Sequence, residues 1–115
     1  MPIVDVTYAR GIEDQTLRTL AQLLPHEVSL AVECPEEPYD LDLQPGDVEV
    51  RFRERSSLDP SGLDVVVEVR STWVESRAVD RQARAERLRV AVSDALGTAS
   101  VGVFLTLPVA GWAQG

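Results

Sequence analysis

One pattern occurs twice along this chain: a β-branched run, a segment of helical spacing, then another alternating run. The first pass opens over residues 2–8, rich in Val, Ile and Thr and closed by Ala9-Arg10-Gly11, which reads as a strand and a turn. Leu17, Leu20, Ala21, Leu24, Val28, Ala31 and Val32 then keep helical spacing. That phase runs through Pro25, although an interior proline costs about 3 kcal/mol, so the segment is one kinked helix or two abutting ones ending near Cys34-Pro35. Over residues 47–55, Val48, Val50 and Phe52 alternate with Glu49, Arg51, Arg53 and Arg55, giving a strand with one apolar face.

The second pass begins after the turn Asp59-Pro60-Ser61-Gly62. It reads as a strand over 63–70, a helix over about 78–96 and a strand over 101–107. The helix has the apolar stripe Ala78, Ala85, Leu88, Val92 and Ala95, with Asp80 in its first turn and Gly97 as a C-terminal stop. Arg81, Arg84, Arg87 and Arg89 fall on its other faces. The pattern predicts an α/β (α+β) chain: two tandem βαβ units forming a four-stranded sheet with two helices on one face. At 115 residues and 44% hydrophobic content, residues 1–115 suit a single domain with pseudo-repeats 2–57 and 62–107. The other sheet face carries Val66 and Phe104, and oligomerisation is its expected cover.

Between the passes, residues 33–47 hold six acidic residues, no basic ones and prolines at 35, 38 and 45, which reads as a solvated loop. The formal net charge of −8 argues against a nucleic-acid partner, because phosphate neutralisation needs clustered cations. No apolar run approaches about 18 residues and the first residues lack a signal-peptide pattern, so the expectation is no membrane partner and a cytoplasmic location.

Absences narrow the chemistry further. There is no lysine, and there is one histidine and one cysteine, so a phosphate-binding loop with its lysine, a lysine Schiff base and a zinc-finger cluster are excluded; no metal or cofactor is expected. His26 projects opposite the apolar stripe and should face solvent, and Cys34 reads as a small apolar filler. The only amine the chain can offer is its terminus. Pro2 is small enough for removal of Met1, which would expose a secondary amine at a strand end, and burial would bring such an amine toward neutrality, where a general base works best. Glu54 continues the face of Val50 and Phe52 and is a candidate acid or water activator. Tyr8, Trp73, Phe104 and Trp112 are candidate pocket walls.

Proline at position 2, an apolar strand after it and a tandem βαβ plan of this length resemble the tautomerase superfamily. Its branches include 5-carboxymethyl-2-hydroxymuconate isomerase and macrophage migration inhibitory factor. The most specific local match is to the isomerase: Ser76-Arg77-Ala78 and Arg81-Gln82 occupy the places of the motif that opens its second helix, and the second strand, with alternating Arg51 and Arg53, is similar. Thr72-Trp73-Val74-Glu75 stands where that branch has a glycine-rich turn. The resemblance implies a homotrimeric, tautomerase/MIF-like isomerase without a cofactor, with sites between subunits. Pro2 would carry a proton between oxygen and carbon in an unsaturated 2-oxo or 2-hydroxy acid. Some relatives hydrate haloacrylates or decarboxylate a semialdehyde instead.

Arg51 and Arg53 would lie on one strand face roughly 6.6 Å apart, and guanidinium forks suit a carboxylate. Arg77 and Arg10 are further candidates for binding an acidic small molecule, Arg10 because shorter members carry a functional arginine after a glycine, in the reverse of the order here. The alternative is a non-catalytic trimeric binding or scaffolding protein of the same fold that keeps Met1, since an acylated Pro2 nitrogen has no basicity.

Overall fold

The structure is a computed structural model that describes residues 2–97, 100–109, 111 and 113–115. Four strands, β1 (Ile3–Tyr8), β2 (Glu49–Glu54), β3 (Val65–Arg70) and β4 (Val101–Thr106), form one mixed sheet in the order β2-β1-β3-β4. Within each βαβ unit the strands are parallel, β1 with β2 and β3 with β4. The units join through β1 and β3, which run antiparallel with Val6 opposite Val67. Each unit buries one strand between neighbours and leaves the other as an edge.

Strand alternation sets the core. Val4 and Val6 of β1 and Val65, Val67 and Val69 of β3 are at most 1% exposed, and they meet Leu20, Leu24 and Val28 of α1 (Asp14–Val32) and Leu88 and Val92 of a second long helix. Burying a valine or leucine completely stabilises by about 1.5–3 kcal/mol, so this seam is the main source of stability. The alternate residues Asp5, Arg51, Glu68 and Phe104 stand side by side on the other face. That face therefore mixes charge with an exposed aromatic. Among the described residues, no helix is long and apolar enough to cross a membrane.

The first helix is one continuous element through Pro25, the first of the two alternatives, and the proline ring is buried. Four local readings change. Ala21 of the expected stripe is exposed. The second helix is divided into a single turn, α2 (Glu75–Ala78), and α3 (Arg81–Leu96), with Asp80 out of helical geometry between them. Arg84, read as an outward residue, is only 8% exposed because its guanidinium reaches the carbonyls at the end of α1. Arg55, read as part of a solvent-facing row, is likewise buried and donates to the Leu63 carbonyl. The stop at Gly97 is as read: its φ of +78° suits glycine, and its N–H donates to Ser93 O at 2.9 Å.

The acidic loop is also more than solvated chain. A 3₁₀ turn, Pro38–Asp40, folds back over the sheet end, and Asp40, Leu43 and Val48 are buried. Ser29 fixes it by accepting the Leu43 N–H at 2.5 Å while its hydroxyl donates to Pro25 O at 3.1 Å. His26 is exposed and Cys34 buried, as expected.

Candidate active site

Pro2 precedes the central strand β1 and is fully buried. A proline has no N–H to give, so the start of a strand is where a sheet tolerates it. Its carbonyl accepts the Glu49 N–H at 3.2 Å, tying it to β2. On the other side the register Ile3 to Arg70 puts Ser71, also buried, opposite Pro2.

A cleft of about 720 Å³ opens at this end of the sheet. Ile3, Arg70, Ser71 and Thr72 form its floor, Glu37, Tyr39, Asp40 and Asp47 one wall, and Pro108, Gly111 and Gln114 the other. The C-terminal segment is held there because pairing continues past β4: Ser71 N–H donates to Thr106 O at 3.1 Å and Trp73 N–H to Pro108 O at 2.9 Å.

Arg77 organises the acidic wall from behind. Its side chain is 0% exposed; Nε donates to Val32 O at 2.7 Å, Nη1 to Thr72 O at 2.6 Å and Glu37 Oε1 at 2.9 Å, and Nη2 to Asp40 Oδ2 at 3.1 Å. Nη2 also lies 3.3 Å from Cys34 Sγ. The two carboxylates respond in opposite ways. Burial pushes Asp40 above the ordinary aspartate range, and the Arg77 charge offsets it only in part. Burial acts on Glu37 too, but hydrogen bonds from Tyr39 and Arg77 outweigh it and hold that carboxyl below its ordinary range. One wall thus presents a carboxyl biased toward the proton and another biased against it, which is how acid and base roles separate.

Among the described residues, two buried side-chain polar atoms have no hydrogen-bond partner, Asp40 Oδ1 and Arg70 Nε, and both residues line the cleft. A terminal nitrogen of Arg70 is engaged by Asp5.

The structure separates the residues singled out from the sequence. Pro2 and Arg77 stand at the cleft end, although Arg77 faces inward with its nitrogens engaged. Arg51 and Arg53 are exposed on β2 and opposite Asp5 and Thr7, so they run away from Pro2 along the open face. Arg51 lies 3.7 Å from Glu49. Glu54 is opposite Tyr8, and Arg10 follows β1, so both are exposed at the far end of the sheet. Six strand residues separate the two ends by about 20 Å. Of the candidate walls, Tyr8 packs on the core, Trp73 and Phe104 are 50% and 65% exposed, and Trp112 lies outside the described residues. Sequence reasoning missed Glu37, Asp40 and Arg70. The first two sat in an acidic run; their only signal was Pro38 between them, able to start a turn.

No family model and no curated protein sequence matches the chain. Solved structures do match over nearly its full length. A fused 4-OT, a wild-type symmetric trimer, superposes with a TM-score of 0.65 at 20% identity, covering 98% of this chain and 93% of the other. The FG41 malonate semialdehyde decarboxylase inhibited by 3-bromopropiolate gives 0.65 at 13% identity over 98% and 88%. A macrophage migration inhibitory factor-like protein from Entamoeba histolytica gives 0.63 at 10% identity over 99% and 95%. The chain shares the fold of these structures, a tautomerase/MIF-like four-stranded mixed sheet with two main helices.

Proposed function

We propose that this chain is a cofactor-independent tautomerase-type protein in which Pro2, freed as a secondary amine once Met1 is removed, moves a proton between oxygen and carbon of an unsaturated 2-oxo or 2-hydroxy acid. The observation that carries this reading is the burial of Pro2 at the head of the central strand, beside a cleft whose wall holds the buried carboxyl of Asp40. An amine there is shielded from water, which disfavours its cation and suits it to proton exchange near neutral pH. Asp40, biased toward its protonated form, is the second proton carrier in this scheme.

The proposal includes a homotrimer. Arg10, Arg53 and Glu54 gather about 20 Å along the strand from their own Pro2, so a site that uses them draws them from a neighbouring subunit. Arg51 and Arg53 of that neighbour would hold the substrate carboxylate, with Arg10 beside them and Glu54 as an acid or water activator. Arg77 supports the site from within by holding Glu37 and Asp40 in place. The trimeric state of the fused 4-OT and the exposed Phe104 on the open face support the same assembly.

Steady-state turnover of phenylenolpyruvate tests the reading. Pro2→Ala is expected to lower kcat/KM at least about tenfold, since a positioned acid-base group contributes 10²–10⁴. Equal turnover by the variant would end it. Mixing Pro2→Ala subunits with Arg53→Ala subunits should restore part of the activity if sites are shared, and none if each subunit works alone.

A further inference from the structure

The two walls of the cleft are anchored unequally. Glu37 and Asp40 are held from behind by Arg77, which is itself tied to Val32 O at 2.7 Å and Thr72 O at 2.6 Å. The opposite wall is Pro108, Gly111 and Gln114. Among the described residues, its last backbone tie is Trp73 N–H to Pro108 O at 2.9 Å. Every described residue after Pro108 is exposed, Val109 at 95%, and none joins the core. A segment with few buried contacts and few backbone partners has little free energy holding it in one place, which is the character of elements that close over ligands.

Charge does not choose the ligand here. Glu37, Asp40 and Asp47 are met by Arg70 and by the amino-terminal cation, which acts on both Asp40 and Glu37. Of the two unpartnered atoms, Asp40 Oδ1 accepts and Arg70 Nε donates. Retention then depends on enclosure and on neutral contacts. On the loosely held wall the lining residue with a hydrogen-bonding side chain is Gln114, whose amide both donates and accepts.

We propose that the segment after Pro108 is a strap that closes on a bound ligand, enclosing it against the largely exposed Tyr39 ring and bringing the Gln114 amide onto it. The proposal rests on the Pro2 reading for the class of ligand, an organic acid of the size of phenylenolpyruvate. Closure also keeps water from the Pro2 amine.

The test uses 3-phenylpropanoate, an acid of that size that cannot tautomerise. Binding to the full chain is followed by the amide shifts of Tyr39 and Thr72, and hydrogen exchange is read at Gly111, Ala113 and Gln114. At saturation their exchange is expected to slow at least about fivefold. A chain ending at Pro108 should bind the acid at least about fivefold more weakly, and Gln114→Ala about threefold more weakly. The thermal midpoint of the shortened chain should stay within about 3 °C, since it loses only exposed residues. Its KM for phenylenolpyruvate should rise more than its kcat falls. Unchanged exchange on binding, equal affinity in the shortened chain, or no binding by the full chain overturns the proposal. A larger fall in midpoint overturns it too, because the segment then serves the fold. Undiminished binding by Gln114→Ala removes Gln114 from the contact. Failure of Pro2→Ala to lower turnover would sink the catalytic reading and leave binding and protection in place.

Discussion

Two pairs of arginines have opposite fates in this molecule. Arg77 and Arg84 are buried at the end of α1, where Ala31, Val32 and Glu33 leave their carbonyls without helical partners. That helix has no basic residue in its last turn, and the cations that meet its negative end come from 45 and 53 residues further along the chain. Arg51 and Arg53 lie exposed on an edge strand; Arg51 has one long contact with Glu49, and Arg53 no ion pair among the described residues. The difference teaches that guanidinium chemistry is decided by what surrounds the side chain. Where unsatisfied carbonyls and carboxylates converge, an arginine is structural. Where the strand faces open space, it remains free for a ligand or another subunit.

Substitutions should sharpen that contrast. Arg77→Ala is expected to have the largest effect, about 3–5 kcal/mol lost in urea unfolding, because it leaves Asp40 and Glu37 without their cation in a buried setting. A loss below about 1 kcal/mol would show that the cluster is not needed for folding. Arg84→Ala should follow at about 2 kcal/mol, since it frees two helix-end carbonyls, Ala31 and Glu33, while Asp80 remains near solvent. Arg53→Ala should change stability by no more than about 0.5 kcal/mol. Turnover by the same variant should fall about tenfold if Arg53 orients a substrate carboxylate. A stability loss equal to that of Arg84→Ala would erase the distinction between the pairs.

The smallest effect expected is in pH dependence, where the two carboxylates held by Arg77 part company. Glu37 titrates below its ordinary range, so its stabilising contribution is present above that range and disappears as pH falls through the lowered value. Asp40 titrates above its ordinary range, so its contribution is greatest in acid and is lost as pH rises through the raised value. Urea midpoints measured from pH 3 to 8 should therefore lose their acid-side fall in Glu37→Gln. They should lose a decline toward neutrality in Asp40→Asn.

Much of the fold was legible because it is written in local periodicity. The alternation of Val4 with Val6 and of Val65, Val67 and Val69, the stripe Leu20, Leu24 and Val28, and the stop at Gly97 all depend on near neighbours. Of the residues at the cleft end, the sequence singled out Pro2 and Arg77. Asp40 and Glu37 looked like part of a wet acidic run, because their burial depends on Arg77, 37 and 40 residues away. Arg84 looked outward because its helix phase places the Cα there, while a long side chain can carry its charge to a distant carbonyl. Arg70 ended a strand and gave no sign that the C-terminal segment would enclose it. Long-range partners, absent from any local window, separate the structural arginines from the available ones.

The proposal at the centre of this reading depends on a single covalent fact, the state of the Pro2 nitrogen. Intact-protein mass spectrometry of the purified, active chain measures it directly. The expected result is a mass lower than that of the full sequence by one methionine residue, leaving Pro2 as a free amine. A mass that retains Met1 in active protein would contradict it, because an amide nitrogen cannot take and return the proton.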